Sequence, residues 1–517
     1  MRKKKIIIIS FSFLLLLSSF LFLPTNKAGD YDDQKWFRRY YICTNSQIET
    51  ANGGGDCTRV KTQGWLITPN GTICNFMIGN FVGGTQYIFL SKSFDNGSTW
   101  TNPVKFIDSC YNGSWSVFAT LTINDYHNVF PNRRYLNAFP QGSNKGCNYL
   151  IWTDDNASTW HGLTGTEIDE EAIDIHEKVG WSKSFPANYW KWCVGTGVIH
   201  SSGRIIIPAV FRNGTDISNI WSVYSDDVEN GNLSSWNVTA EYGSASEYSE
   251  NSIVELKNGS LYNVIRDDQG ETPAHTHLYY SRTTTDAGKG NSIVWKESSN
   301  DFPYWSQFNH CEEYCDVIRL TDDTTYNDSR ILMVWNNYTW QGTASASRRY
   351  LTVACSKDET LSWAYDRQIT GDEYTDYPMI TVAPNNTILV GYKNHSVSEL
   401  QNWVFQFNIE WLSNGEDTLE LRQEEIEIEF EGVGGLPDDS FISTRKPSIT
   451  WSKVDNAIQY HLQIATDIDF NNLVVNIDDI NTINYPNQCS TNDTSVTFKL
   501  INDLESVKHY MRVRALI

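Results

Sequence analysis

Residues 93–100 read SFDNGSTW, and related stretches recur along the chain. Residues 153–160 read TDDNASTW and residues 356–363 read SKDETLSW, while longer versions begin at Ser225 and Thr284. Their closing tryptophans are 59 to 76 residues apart: Trp100, Trp160, Trp236, Trp295 and Trp363. Short β-branched and aromatic runs lie between these turns, and a repeat of this length is typical of a four-stranded propeller blade. The sequence therefore predicts an all-β protein.

The residue types in this stretch suit a tight turn better than a catalytic or calcium site. A Ser or Thr and an Asp can hydrogen-bond backbone groups within the turn, and a Gly permits a positive φ. An active site is normally assembled once, whereas this stretch occurs five times. We therefore interpret it as a structural element.

The form S/T-x-D-x-G-x-T-W resembles the Asp box, or BNR repeat, of the sialidase (neuraminidase) superfamily. The resemblance implies a turn between the outer strands of each blade, away from the active site. Asp boxes also occur in propellers that are not sialidases, so the motif alone implies only a fold. The repeat length leaves room for six blades, and we expect a six-bladed β-propeller over residues 30–412.

Two further segments follow the expected propeller. Residues 413–445 are rich in Asp and Glu and predict an acidic linker with extra strands. Residues 446–517 contain short alternating runs such as YHLQIAT and YMRVRA, which predict a small β-sandwich. This sandwich resembles a fibronectin type III or immunoglobulin-like domain, and since such a domain would still need a closing strand, we expect an incomplete or unusual module.

The N-terminus predicts export. Residues 1–29 carry four basic residues followed by an apolar run from Ile6 to Leu23. This pattern fits a cleaved signal peptide, and the length of the run also fits an uncleaved membrane anchor. Both alternatives place the rest of the chain outside the cytoplasm, either secreted or at the cell surface.

Glycosylation sequons and the number of cysteines are also consistent with export. Asn-x-Ser/Thr sequons recur along the chain, among them Asn70, Asn96, Asn112, Asn213, Asn237, Asn337 and Asn394. The ten cysteines are an even number, which is compatible with disulfides in an oxidising compartment. Their spacing lacks the paired pattern of a zinc ribbon, so we expect neither a metal nor another cofactor.

The net charge of −22 argues against nucleic acid as a partner, since phosphate binding needs a basic surface. An anionic ligand would need a local cluster of cations that overcomes this overall repulsion.

Residues 250–266 read ENSIVELKNGSLYNVIR and predict a hairpin around the NG turn. Glu250 begins one strand and Arg266 ends the next, and a surface ion pair between hairpin ends is worth about 0–1 kcal/mol. The stretch also resembles the sialidase segment that supplies the catalytic glutamate and the second of three arginines. The resemblance implies these roles for Glu250 and Arg266.

Two later stretches extend the resemblance. In SRRYLTVACSKDETLSW, which begins at Ser347, Arg348 matches the third arginine and Arg349 is the near alternative. In DYPMITVAPNNTILVGYKN, residues 376–394, Tyr377 matches the nucleophilic tyrosine. Because Tyr377 follows Glu250, Arg266 and Arg348 in the family's order, we favour a catalytic role over a place in the core.

The chemistry of a sialoside accounts for these residue types. Its anomeric carbon carries a carboxylate, so a neutral phenol is a better nucleophile there than an anionic Asp or Glu. A phenol with a pKa near 10 needs a neighbouring base, which would be Glu250. Planar guanidinium groups such as those of Arg266 and Arg348 can bind the substrate carboxylate through two hydrogen bonds.

The chain departs from the family pattern at two places. In TRVKTQGWLITPNGT, from Thr58, the position of the first arginine holds Lys61, and Arg59 is an alternative on the same strand face. The family's acid/base aspartate is expected between Cys74 and Phe94, where no Asp or Glu occurs. Three explanations stay open: an acid from another loop, a substrate with a good leaving group, or binding without cleavage.

The favoured hypothesis is an exo-acting glycoside hydrolase that cleaves terminal sialic-acid-type residues from glycans, with sialylated or other acidic glycans as partners. Two alternatives remain. The first is a lectin-like propeller that binds carbohydrate without cleaving it, and the second is a surface adhesion protein.

Overall fold

The computed structural model describes residues 36–110, 116–142, 145–146, 148–181, 190–192, 195–213, 217–227, 235–240, 248–267, 277–296, 304–310, 313–321, 328–339, 341, 343–394, 402–419, 423–425, 448–453, 459–466, 473–481, 489–491, 495–499 and 510–516. The chain divides into two compact units. The first comprises Tyr31–Thr321 and Ser329–Thr418, and Leu419–Ile517 belongs to the second. The described residues are mainly in strands, so the all-β prediction is confirmed.

The first unit contains twenty-nine strands and four short helices among its described residues. In chain order they are β1 (Phe37–Tyr41), α1 (Asn45–Asn52), β2 (Cys57–Ile67), β3 (Ile73–Phe81), β4 (Gln86–Ser93), β5 (Val104–Ile107), β6 (Ser109–Cys110), β7 (Ser116–Asn124), β8 (Arg134–Gly142), β9 (Lys145–Gly146), β10 (Tyr149–Thr153), β11 (Leu163–Thr164), β12 (Glu167–Ile168), β13 (Ile173–Asp174), α2 (Ile175–Lys178), β14 (Trp190–Trp192), β15 (Gly197–Ile199), β16 (Ile205–Asn213), β17 (Ile217–Ser225), β18 (Asn237–Val238), β19 (Tyr248–Glu255), β20 (Leu261–Asp267), β21 (His277–Arg282), β22 (Tyr304–Asn309), β23 (Asp316–Thr321), β24 (Arg330–Asn336), α3 (Ala344–Ser347), β25 (Leu351–Ser356), β26 (Tyr365–Gln368), β27 (Thr375–Val382), β28 (Ile388–Asn394), β29 (Asn402–Phe407) and α4 (Ile409–Leu412).

Most of these strands form antiparallel sheets in which neighbouring strands follow one another in the chain. Three four-stranded sheets are β2 to β5, β19 to β22 and β23 to β26. A larger sheet contains the runs β7-β8-β10-β13 and β15 to β18, which are joined by the parallel pair β7 and β15. A further sheet, β27-β28-β29-β1, takes its fourth strand from the start of the unit. A ring of sheets closed by the first strand is a propeller-type arrangement.

Neighbouring sheets bury apolar side chains between them. Val254 and Val264 from one sheet pack in the same cluster as Val317, Met333 and Trp335 from the next. All seven residues of β24 are buried, because this strand has neighbouring elements on both faces. Long runs of apolar residues, rather than strict alternation, are the expected sequence of such strands.

Three of the repeated turns share one hydrogen-bond pattern. In the first, the hydroxyl oxygen of Ser93 accepts from the Gly97 N–H at 2.8 Å, and the Asp95 carboxylate accepts from the Thr99 N–H at 2.8 Å. Asp155 and Asp358 accept the equivalent bonds in the other two turns. The side chains therefore hydrogen-bond backbone groups inside a tight turn, as the sequence predicts.

A buried carboxylate connects several innermost strands. The Oδ1 atom of Asp316 accepts hydrogen bonds from Thr196, Ser252 and Tyr314, at 2.9, 2.7 and 3.2 Å. Its Oδ2 atom accepts from the Ile380 N–H at 3.0 Å. The strands β19, β23 and β27 are thus held at a common point.

In the second unit, the described strands are β30 (Gln423–Glu425), β31 (Ser448–Ser452), β32 (Gln459–Ala465), β33 (Leu473–Ile480), β34 (Cys489–Thr491), β35 (Ser495–Lys499) and β36 (Tyr510–Leu516). They form the sheets β30-β36-β32-β33 and β31-β35-β34. The fibronectin type III-like assignment and the boundaries at residues 413, 445 and 446 stay predictions.

The predictions about export concern residues that the structure covers only in part. Residues 1–29 and Asn112 lie outside the described residues. No described helix is long and apolar enough to cross a membrane. Cys43, Cys57, Cys74 and Cys489 are free thiols, so the disulfides that the even cysteine count allows do not form at these four positions.

Candidate active site

Tyr377 lies at an irregularity near the start of β27. The pairing of β27 with β28 shifts register between Asp376 and Met379. The backbone of Tyr377 has a φ of +48°, and Pro378 follows it. A non-glycine residue in the left-handed region is strained, and such strain is concentrated at functional sites. Bulges commonly redirect one side chain.

The phenol of Tyr377 contacts Glu250 and Arg266, the two residues at the ends of the predicted hairpin. Its hydroxyl donates to Oε1 of Glu250 at 3.2 Å, and Nη1 of Arg266 donates to the phenol oxygen at 3.3 Å. Arg266 also forms an ion pair with Oε2 of Glu250. Tyr377 and Glu250 are 127 residues apart in the chain. The fold therefore brings together three residues that the sequence comparison selected.

The hairpin itself is formed by β19 and β20, as predicted. Tyr248 pairs with Asp267 and Asn251 with Ile265, and the register shifts between these two pairs. Glu250 lies within the shifted part and directly precedes Asn251, the first residue of the regularly paired part. Asn251, Ser252 and the following residues are buried, so the hairpin is held in the core while its end reaches Tyr377.

The surroundings of Tyr377 keep its phenol protonated. Burial raises the pKa of Tyr377 well above 10, and the negative charge of Glu250 raises it further, while Arg266 opposes both effects. The hydroxyl is therefore a donor and Glu250 its acceptor. The ammonium nitrogen of Lys61 lies 3.6 Å from the centre of the ring, which is the geometry of a cation–π contact.

Arg59 and Arg348 meet at a carboxylate that the sequence did not predict. Nη2 of Arg59 lies 2.6 Å from Oδ2 of Asp376, and Nη1 of Arg348 lies 2.6 Å from Oδ1 of the same side chain. Nε of Arg348 also lies 2.6 Å from Oε2 of Glu313. Asp376 and Glu313 are almost completely buried, with 1% and 0% of the side chain exposed.

The structure brings both Lys61 and Arg59 to the site, in different roles. Lys61 contacts the ring of Tyr377, whereas Arg59 belongs to the pair with Asp376. Burial lowers the pKa of Lys61 to about 8, although the charge of Asp376 opposes this shift. Burial and the charge of Arg59 likewise lower the pKa of Lys393 to about 7. Burial is the main reason why these two lysines lose their protons at a lower pH than an exposed lysine, and the neighbouring cations add to the effect.

Arg349, the alternative candidate for the third arginine, contacts a different residue. Its Nη1 atom lies 2.5 Å from Oδ1 of Asp372, whose side chain is 68% exposed. Of the two adjacent arginines, Arg348 is therefore the one that contacts the carboxylates next to Tyr377.

Three residues of the site were not predicted: Asp376, Glu313 and Lys393. Asp376 directly precedes Tyr377, and Glu313 is one of two adjacent glutamates in CEEYC. An acidic residue is therefore visible in the sequence at both places. Between Cys74 and Phe94 the chain forms β3, a turn and β4, and it carries neither Asp nor Glu. This segment supplies no carboxylic acid to the site.

Solved structures with a similar fold are sialidases and trans-sialidases. The Hadza microbial sialidase Hz136 has a TM-score of 0.53 at 16% identity, over 72% of this chain and 69% of that one. The chain has the sialidase fold. The leech intramolecular trans-sialidase, in a complex with 2,7-anhydro-Neu5Ac, has a TM-score of 0.52 at 13% identity, over 73% and 71%.

The intramolecular trans-sialidase of Ruminococcus gnavus, in complex with oseltamivir carboxylate, has a TM-score of 0.51 at 14% identity, over 72% of this chain and 97% of that one. No protein-family model and no curated protein matches the sequence. At such low identity the likeness concerns the fold, and function has to be argued from the site.

Proposed function

We propose that this protein is an exo-acting glycoside hydrolase that removes terminal sialic-acid-type residues from glycans. Tyr377 is the nucleophile and Glu250 is its base. The observation that carries the proposal is the hydrogen bond of 3.2 Å from the Tyr377 hydroxyl to Glu250, with Arg266 at 3.3 Å from the same oxygen. A nucleophile, its base and a third group that orients the pair form the arrangement that covalent catalysis requires.

The reaction proceeds in two displacements. The phenol oxygen of Tyr377 attacks the anomeric carbon while its proton passes to Oε1 of Glu250, and the bond to the aglycone oxygen breaks with its electron pair. The product of this step is a covalent tyrosyl glycoside. Water then attacks the same carbon and gives a proton to solvent, and the departing Tyr377 oxygen regains its proton from Glu250. Two displacements retain the anomeric configuration.

The cations around Tyr377 give the site its preference for an anionic sugar. Arg266 and Arg348 are 12% exposed at their side chains, and Arg59 is 31% exposed. Together with Lys61 they place four basic side chains around Tyr377 in a chain of net charge −22, and the carboxylates of Glu250 and Asp376 contact the three arginines. Such a cluster is what an anionic ligand needs to overcome the overall repulsion.

The remaining parts of the proposal concern the whole chain. We interpret the six four-stranded runs of the first unit as six blades, with the repeated turns as Asp boxes, and the second unit as a fibronectin type III-like module. The turns and the order of the strands support the first interpretation. We also propose that the protein is exported and either secreted or held at the cell surface by residues 1–29.

Turnover of an aryl sialoside by the purified protein tests the activity. We expect Tyr377→Phe to reduce kcat at least about a thousandfold, because it removes the attacking oxygen. Tyr87→Phe is the matched control, since Tyr87 lies in β4, packs against Phe81 and has the ammonium nitrogen of Lys105 4.4 Å from the centre of its ring. Activity of Tyr377→Phe equal to that of Tyr87→Phe would contradict the proposal.

A second candidate is a lectin-like protein that binds sialylated glycans without cleaving them. The observation that favours it is the absence of Asp and Glu between Cys74 and Phe94. The same preparation distinguishes the two candidates. Binding of free sialic acid that is lost in Arg348→Met, together with no turnover of the aryl sialoside, supports the second candidate.

A further inference from the structure

Asp376 contacts two of the guanidinium groups that, under the proposed function, bind the substrate. Its two oxygens are shared between them, with Arg348 2.6 Å from Oδ1 and Arg59 2.6 Å from Oδ2. The carboxylate is 1% exposed. A carboxylate between two guanidinium groups is the arrangement expected for a bound anionic ligand.

Arg348 also contacts a second internal carboxyl group, through a different nitrogen. Its Nε atom lies 2.6 Å from Oε2 of Glu313, which is fully buried. Two internal carboxyl groups therefore contact Arg348, and the carboxylate of Asp376 compensates the charges of both Arg348 and Arg59. Coulomb attraction of an external anion to these two arginines is correspondingly reduced.

The position of Asp376 is fixed by the fold. The N–H of Thr375 donates to the carbonyl of Arg348 at 2.8 Å, so the start of β27 is fastened to the segment that carries the arginine. Asp376 is the next residue. A carboxylate held beside its partners in this way competes with a free ligand at a high effective concentration.

We propose that Asp376 is an internal occupant of the Arg59–Arg348 pair, and that an external carboxylate binds there only by displacing Asp376. This inference rests on the proposed function for the role of the arginines. Asp376 is thus a specificity-determining residue, which reduces the affinity of the site for anionic sugars relative to neutral ones.

Acetate is the probe for the pair itself, because it tests the arginines without any requirement for a sugar. Asp376→Gly removes the whole side chain and leaves a space beside Arg59 and Arg348 that fits acetate. We expect acetate to bind this variant at least about tenfold more tightly than the wild-type protein, as measured by titration with NMR detection. Equal acetate binding by both proteins overturns the inference.

A methyl sialoside and its carboxyl methyl ester are the probes for specificity. We expect Asp376→Asn to lower the Kd of the acid at least about tenfold and to leave the Kd of the ester within about twofold of the wild-type value. If acetate binding increases while neither sialoside binds, the inference stands and the proposed substrate class fails. If the ester gains as much affinity as the acid, the inference is overturned.

Two further variants keep the test decisive. Asp154→Asn removes a carboxylate that contacts Arg133 through both oxygens, at 2.6 and 2.9 Å, and it serves as the matched control that leaves acetate binding unchanged. Asp376→Ser also removes the carboxylate from Arg59 and Arg348 and is used where the other two Asp376 variants fail to fold. We expect it to increase acetate affinity at least about threefold, and no increase overturns the inference.

Discussion

The ammonium nitrogen of Lys61 lies 3.6 Å from the centre of the Tyr377 ring, on the strand that was expected to supply an arginine. A cation at this distance stabilises negative charge that develops on the phenol oxygen during attack. Because burial lowers the pKa of Lys61 to about 8, this charge is present below about pH 8 and is lost as the pH rises through that value.

We therefore expect kcat/KM for an aryl sialoside to fall above about pH 8 in the wild-type protein. Lys61→Arg keeps its charge at all accessible pH values, so its profile should stay level up to about pH 9.5. Profiles from about pH 6 to about pH 10 measure the difference. An alkaline fall at the same pH in both proteins would show that Lys61 is not the group responsible.

Lys393 makes the stability of the fold depend on pH. Burial lowers its pKa to about 7, so the folded protein carries a neutral amine above that pH, while the unfolded chain stays protonated up to about pH 10. Between these values the unfolded state binds one more proton, and the free energy of unfolding rises by about 1.4 kcal/mol per pH unit. This stability is complete above the unfolded pKa and is lost as the pH falls through about 7.

Lys393→Met removes this contribution. Urea unfolding at about pH 7.5 and about pH 9.5 should show a slope that is smaller by about 1.4 kcal/mol per pH unit than in the wild-type protein. Lys178→Met, at an exposed position, should keep the wild-type slope. A Lys393→Met variant with an unchanged slope would contradict the assignment.

Asp316 is the polar link between the innermost strands, and its removal should destabilise the protein. Asp316→Ala leaves the Ile380 N–H and the Ser252 hydroxyl without their acceptor in a buried place. Each such loss costs about 1–3 kcal/mol, so we expect a decrease of at least about 3 kcal/mol in the free energy of unfolding. In Asp316→Asn the amide oxygen can accept from Ile380 and the amide nitrogen can donate to hydroxyl oxygens, so most of the stability should remain. Urea unfolding compares the two variants, and equal stability would contradict the argument.

The fold could be predicted because its signal is local. The hydrogen bonds of the repeated turn join Ser93, Asp95 and Thr99 within seven residues, so they are visible in any short stretch of sequence. The expectation of a propeller followed from the recurrence of that turn. The contact between Tyr377 and Glu250 spans 127 residues, and only the order of the family's segments could suggest it.

The environment of the site could not be predicted in the same way. Arg59 and Asp376 are 317 residues apart, and neither segment contains a pattern that indicates the other. The sequence could show that Lys61 replaces an expected arginine. It could not show that Arg59 would pair with an internal carboxylate, because this depends on how the start of β27 is fastened to Arg348.

Burial separates the glycosylation sequons into two kinds. Asn70 is exposed in the turn between β2 and β3, whereas Asn394 is buried and its amide donates to Glu373. A glycan cannot be accommodated at Asn394 in the folded protein. Glycopeptide mass spectrometry of protein secreted from a eukaryotic host should therefore show a glycan at Asn70 and none at Asn394 in the folded fraction. Occupancy of Asn394 in that fraction would contradict the burial.

The leaving group should decide how fast the proposed enzyme works. No carboxylic acid lies between Cys74 and Phe94, so that segment offers no proton to the departing oxygen. Protonation by a positioned acid contributes about 10²–10⁴-fold, and an aryl oxygen needs it far less than the alkyl oxygen of a glycan. We therefore expect kcat for an aryl sialoside to exceed that for sialyllactose by at least about a hundredfold.

Comparable kcat values for the two substrates would show that another group of the protein acts as the acid. In that case Glu313→Gln should reduce turnover of sialyllactose much more than turnover of the aryl sialoside, since burial raises the pKa of Glu313 well above its ordinary value and favours the protonated form.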